Sequence, residues 1–336
     1  MKRQKPTLAE VAKMAGVSMM TASRAINNRP GVSAEKQEEI LRIADELGYS
    51  VNRVAQKLSG AATRIIGVVA ELHTPFTSDL VLGIGSVAHS ADYEMLVYSL
   101  PESGRRPPGA VLDLMRQIAD GVIVILPYES SYLDTLVSAH IPVVTIDQTS
   151  SSPFPSVIAE DYQGACSAMR HLLELGHTHV GFISGNDQLA SSRERRRAYR
   201  DILTQARLPL LPEFEEDGDF SRKGGYKAAR TLLQLPTPPT AIFAANDISA
   251  YGAIAAAKEL GVQVPQDLSI VGFDDLPVPA PFHPTLTTVR QPLQSMARAA
   301  VNLLQALVAG IDAPSRQIVL PTQLIIRETT GPAAKS

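Results

Sequence analysis

From Arg64 onward, short runs of Val, Ile, Leu and Ala alternate with longer helix-like segments. The runs are IIGVVAEL (65–72), EMLVYSL (94–100), GVIVILP (121–127) and PVVTIDQ (142–148), followed by HVGFISG (179–185), AIFAAND (241–247) and LSIVGFDD (268–275). A strand that is apolar along its whole length is covered on both faces, and a helix between two such strands supplies the crossover that parallel pairing requires. The sequence therefore predicts an α/β fold with parallel sheets, and the two sets of runs predict two similar lobes within one body. Open parallel sheets bind ligands beyond the C-terminal ends of their strands. Polar residues collect there: Asp147, Asn246, Asp247, Asp274 and Asp275.

The first sixty residues are different in kind. Thr7 to Asn28 reads TLAEVAKMAGVSMMTASRAINN. Thr7 and Glu10 have the spacing of a capping box, and Leu8, Val11, Ala12 and Ala15 recur at helical spacing behind them. Gly16 breaks that helix, Val17 plugs the turn, and Ser18 caps a second helix with Ala22, Ala25 and Ile26 on its inner side. Two short helices joined this tightly form a helix-turn-helix, the arrangement that presents a second helix to a DNA major groove. Ser33 begins a third helix, SAEKQEEILRIADEL, ended by Gly48, with Ile40, Leu41, Ala44 and Leu47 as its expected inner stripe. Asn52 to Leu58 makes at most two further turns, too few to be stable alone, before the weakly structured SGAATR.

Charge follows the same division. Residues 1–60 carry ten Lys/Arg against six acids, and the remainder 21 against 28, so the overall net of −3 joins a basic end to an acidic body. That asymmetry favours nucleic acid as the partner of the basic part, although a solvated helical face also carries such charges. A 45% hydrophobic content is enough for two or three cores. A single cysteine, Cys166, excludes an intrachain disulfide framework. No apolar run of signal-peptide or membrane-span length follows the basic start MKRQKP, so the expectation is a cytoplasmic protein without membrane contact.

Enzyme chemistry finds little support. No phosphate-binding glycine loop follows the first strand run, where AELHTPF stands instead. The seven histidines are scattered, and no nucleophile elbow is present, so neither metal nor cofactor is expected. A sugar-binding transport component would share the two-lobed body but has no use for residues 1–60.

The motifs TLAEVAKMAGVS, TASRAINN, DELGY, AQKLSG, LGHTHVGFISG, ERRRAY and IFAANDISAYGAIAAAKELGVQVPQDLSIVGFDD resemble the lactose-repressor/galactose-repressor (LacI/GalR) family over about residues 6 to 330. The resemblance implies a DNA-binding headpiece (1–50), a hinge helix and linker (51–63) and an effector-binding, dimerising core (64–336) like that of periplasmic sugar-binding proteins. Within the core it implies one lobe of about 64–160 and 291–320 and another of about 161–290 and 321–330. It further implies a homodimer on a palindromic operator, and a small carbohydrate that controls it; a sugar acid or a co-repressor is the alternative.

Matched to the family motifs, Met19, Met20 and Arg24 read operator bases, and Thr7, Ser18, Thr21, Ser23, Asn27 and Arg29 lie at the DNA face. Arginine can fork guanine, whereas two methionines offer only apolar contact. Thr21 and Ser23 could equally bond their own helix. In the hinge, Asn52 and Ala55 join Leu58, which matches a leucine wedged into the minor groove, or else is an apolar anchor. Val51 stands where the family usually has proline, and Gln56 where it often has arginine. For the effector, the resemblance points to Arg195, Phe220, Asn246 and Asp274, with Phe76, Thr77, Asp147 and Asp161 at further pocket-lining positions. A guanidinium and carboxylates facing vicinal hydroxyls, beside an aromatic ring, suit a sugar. A strand-end Asp can equally cap the next helix. Arg193, Arg196 and Arg197 read as a solvated basic face around Arg195.

Overall fold

Thr7, Ser18 and Ser33 each start a helix in the computed structural model, which describes residues 6–27, 30–49, 62–72, 74–100, 108–125, 137, 140–148, 153–277, 283–311 and 316–333. The chain divides into two compact units, Met1–Thr63 and Arg64–Ser336.

In the first unit, α1 (Leu8–Met14), α2 (Met19–Ile26) and α3 (Ala34–Leu47) surround a small core. Thr7 and Glu10 form the complete capping box, the Thr7 N–H donating to Glu10 Oε2 at 2.7 Å. Gly16 (φ 63°) and Gly48 (φ 68°) take the left-handed conformation that closes α1 and α3, where a side chain would be strained. Val11, Ala12, Ala15, Ala22, Ala25, Ile40, Ile43 and Ala44 are buried. The inner stripe of α3 is therefore rotated from the expected one. Ile43 points inward, and Leu41 is 44% exposed.

The second unit contains two sheets, each six-stranded among the described residues. The chain first lays down β1 (Ile65–Ala70), α4 (Pro75–Ser90), β2 (Glu94–Ser99), α5 (Pro108–Ile118), β3 (Gly121–Ile125), β4 (Val143–Ile146) and β5 (Ser156–Ala159). It then passes at Glu160 into α6 (Asp161–Glu174), β6 (Val180–Ser184), α7 (Ala190–Gln205), β7 (Glu215–Asp217), α8 (Arg222–Leu233), β8 (Ala241–Ala244), α9 (Asp247–Glu259), β9 (Ser269–Asp274) and β10 (Thr287–Arg290). After Gln291 it returns through α10 (Leu293–Val308) and β11 (Gln317–Leu320), and it ends with β12 (Gln323–Ile325).

The first sheet has the order β11-β5-β4-β3-β1-β2 and is parallel throughout. The second has the order β12-β10-β9-β8-β6-β7, with β12 alone antiparallel to its neighbour. Register is set by fully buried runs, with Val68 opposite Ile123 and Phe182 opposite Phe243. In the first lobe, Leu80 and Ile84 of α4 and Ala297, Val301 and Leu304 of α10 cover Val68, Ile123 and Val144. In the second, Phe182, Tyr199, Phe243 and Phe273 pack together, the Phe182 and Tyr199 rings stacked at 5.0 Å. No described helix is long and apolar enough to cross a membrane.

Candidate functional site

Two sets of residues invite chemistry, one in each unit. In the first unit, Ser18 Oγ accepts the Thr21 N–H at 3.1 Å, which fixes the start of α2. Met19 and Met20 follow at once and are 57% and 65% exposed, while Ala22 and Ala25 behind them are buried. Arg24 is exposed one turn further on. Thr7 is exposed beside its capping box, and Ser23 is half-buried. Asn27 Nδ2 donates to the Ser23 carbonyl at 2.8 Å, and the Thr21 hydroxyl bonds that of Ser18 at 2.9 Å. Met19, Met20 and Arg24 thus share a free face, whereas the Thr21 and Asn27 side chains are engaged within α2. Arg29, Asn52, Ala55 and Leu58 lie outside the described residues.

In the second unit, a cleft opens between the ends of the two sheets. Phe76 and Asp147 face it from the first lobe, and Arg195, Phe220, Asn246 and Asp274 from the second. Three of these residues hold left-handed backbone: Asp147 (φ 60°), Phe220 (φ 51°) and Asp274 (φ 125°). Such conformations cost free energy in residues with side chains, and they concentrate where side chains must be aimed at a ligand.

Arg195 organises the cleft. It is 3% exposed, and its Nε and Nη2 both donate to Asp161 Oδ1, at 2.9 and 2.7 Å. Its Nη1 donates to the Ala245 carbonyl at 2.5 Å and stands 3.8 Å from Asp274 Oδ1. The guanidinium lies 3.7 Å from the centre of the Phe273 ring and 5.9 Å from that of Phe220. Burial opposes its charge, but Asp161 and Asp274 outweigh burial and hold it charged.

The carboxylates lack such compensation. Burial, followed by the nearby Asp161, pushes Asp147 up to about 7, against the hydrogen bond it accepts from Ser191 Oγ at 2.7 Å. Burial also pushes Asp274 up to about 7, although Arg195 and a 2.7 Å hydrogen bond from Gln291 Nε2 pull it down. Asn246 is doubly engaged: its Oδ1 caps α9 by accepting the Ser249 N–H, and its Nδ2 donates to the Phe220 carbonyl at 3.2 Å.

Two expectations need correcting. Thr77 does not line the cleft; it is 1% exposed, and its hydroxyl bonds that of Thr74 at the start of α4. Asp161 does not line this cleft either: its carboxylate is paired with Arg195, and it lines an adjoining hollow that shares Asp147 and Ser191 with the cleft. Of the other strand-end acids, Asp247 accepts from the Leu276 N–H and Thr288 Oγ1, and Asp275 pairs with Arg290 and Arg327. Around Arg195, Arg196 is paired with Asp187 and Glu215, and Arg197 with Glu194.

Ser191, Gln291, Leu189, Ile248 and Leu276 also line the cleft and were missed in the sequence reading. Ser191 had a usable signal, since it stands four residues before Arg195 and shares its helix face. Gln291 had one too, directly after a strand.

An exposed helix-turn-helix joined to a two-lobed core with a polar cleft defines a DNA-binding regulator with a small-molecule site. Comparison with known proteins agrees. Residues 7–52 match the bacterial regulatory proteins of the lacI family, and residues 169–330 a periplasmic binding protein-like domain. The HTH-type transcriptional regulator DegA of Bacillus subtilis (strain 168) is 33% identical over 98% of this chain and 99% of its own length. Among solved structures, the lac repressor dimer bound to operator and the anti-inducer ONPF matches with a TM-score of 0.86 and 30% identity, covering 98% of this chain and 100% of that one. The transcriptional regulator CelR–cellobiose complex matches with a TM-score of 0.74 and 28% identity, over 96% and 99%. The chain belongs to the LacI family and is a DNA-binding transcriptional regulator; the family consists of regulators rather than enzymes.

Proposed function

We propose that the chain is a cytoplasmic repressor of carbohydrate-utilisation genes, bound to a palindromic operator as a homodimer and released by a small neutral sugar in the cleft. The observation that carries the ligand class is the state of Arg195. Asp161 and the Ala245 carbonyl occupy most of its donors, so it offers little to a ligand carboxylate, while Asp147 and Asp274 offer acceptors to hydroxyl groups. Phe76 and Phe220 supply apolar faces for a sugar ring. That balance favours a neutral sugar over a sugar acid. The cellobiose in the CelR complex supports the same reading. Operator binding rests on the Met19, Met20 and Arg24 face, and the dimer on the two-fold symmetry of such operators.

A panel of neutral sugars and sugar acids, scored by thermal stabilisation of the full chain and by release of upstream DNA in a gel shift, tests this. Neutral sugars are expected to stabilise the protein and release the DNA. Asp274→Asn is expected to bind sugar about tenfold or more weakly, for loss of a charged acceptor, with operator binding unchanged. Undiminished sugar binding by both Asp274→Asn and Arg195→Ala would place the site elsewhere.

A further inference from the structure

Gly185 directly follows β6 and stands against Phe220. A methyl group built on its Cα would fall within the Phe220 ring, against Cζ and both Cε atoms, closer than real Cβ atoms approach any neighbour. One of the two residues would have to yield.

The Phe220 backbone is poorly placed to do so. Just before it, the Gly218 N–H donates to the Ser184 carbonyl at 3.0 Å. Its own carbonyl accepts from Asn246 Nδ2 at 3.2 Å. Just after it, Ser221 Oγ caps α8 by accepting the Gly224 N–H at 2.9 Å, and the Ser221 carbonyl accepts from Ser249 Oγ at 3.4 Å. The segment is thus tied to β6, α8 and α9 together. The ring can move about its side-chain torsions, and one side of it faces the cleft.

We propose that Gly185 is a specificity-determining position: lacking a side chain, it lets the Phe220 ring draw back against the end of β6 and so sets the width of the effector cleft. This rests on the reading of the cleft as the effector site. A side chain at 185 turns the ring toward Arg195 and Asp274 and takes the space a ligand needs. Phe220 also packs against the apolar groups of both lobes, so a displaced ring meets the facing lobe as well.

Four full-length proteins test the proposal: the wild type, Gly185→Ala, Phe220→Ala and the double variant. Gly185→Ala is expected to lower the core Tm by about 2–4 °C, as overpacking of this kind does. In the Phe220→Ala background the ring that the added methyl would strike is gone, so the further loss should vanish. An equal loss in both backgrounds, or no loss in either, overturns the proposal.

The second measurement uses D-glucose, D-galactose, D-xylose and cellobiose as probes. Any that binds the wild type should bind Gly185→Ala about tenfold or more weakly; unchanged binding overturns the proposal. If none binds the wild type, these four sugars are excluded as effectors, and the Tm cycle still decides whether Gly185 accommodates Phe220.

Discussion

Arg195 shows how a residue read as a ligand contact can act chiefly on its neighbours. Its charge is spent on Asp161, which leaves Asp147 and Asp274 buried without full compensation and raised to about 7. In the unfolded chain both would titrate near the ordinary value of 3.8. Between about pH 4 and 7 the folded core therefore holds protons that the unfolded chain has released, and these two groups make stability fall as pH rises through that window. A neutral sugar whose hydroxyls donate to the carboxylates favours their ionised forms. Its affinity should rise from about pH 6 to 8, with protons released on binding. Calorimetry in two buffers of different ionisation enthalpy reads that release; a pH-independent affinity would show that the sugar does not engage these carboxylates. On the DNA side, Arg24→Ala should cost about 1–3 kcal/mol on the operator and relax preference at one base pair. Equal weakening on operator and random DNA would instead make Arg24 a phosphate contact.

At the scale of elements, α2 stands on its cap. Ser18 satisfies an orphan N–H of an eight-residue helix with no acidic residue in its first turn. Ser18→Ala should destabilise the headpiece by about 0.5–2 kcal/mol. Operator affinity should fall with the order of preference among operator variants unchanged, as gel shifts on a variant set would report; a reordered preference would mean that Ser18 itself reads bases. Elements of this kind were legible because their caps and glycines are local signals. The seven long apolar runs were legible for the same reason, each announcing a strand, although β2 at the edge of its sheet is only half-buried instead of covered on both faces. β5, β7, β10, β11 and β12 escaped because none of them sits in an apolar run as long as those holding the equally short β4 and β8, and β7 is simply Glu-Glu-Asp at a sheet edge. Its Glu215 answers to Arg200 on α7, a partner that no local window contains. The inner face of α3 was misread because Leu41 and Ile43 flank the Ile40–Ala44 stripe on opposite sides, and apolar character alone does not say which flank turns inward. Thr77 and Asp161 failed for a further reason: proximity to a cleft follows from the chain, but the direction of a side chain follows from its hydrogen bonds.

At the scale of the whole molecule, the two lobes of the core are tied to each other across the cleft. Ser191 on α7 donates across the cleft to Asp147 beyond β4, and Leu189 and Phe220 of the second lobe pack against apolar groups of the first. The chain passes between the lobes at Glu160, near Gln291 and near Pro321, so a change in lobe angle is focused on three short segments. A ligand that bridges Asp147 in one lobe and Asp274 in the other alters the free energy of that angle. If the effector reading is correct, the change is linked to operator binding, and linkage is reciprocal: the factor by which sugar weakens operator binding equals the factor by which operator weakens sugar binding. Titrating sugar into the protein with and without saturating operator, and operator with and without saturating sugar, should give two ratios that agree within error. Ser191→Ala removes the cross-cleft bond and frees Asp147 Oδ2, so it should shift both ratios together. A variant that changed one ratio alone would mean that a third state, such as dissociation of the dimer, had entered the equilibrium. Repeating the titrations at two protein concentrations would reveal that state, because only a dissociating dimer makes the ratios depend on protein concentration.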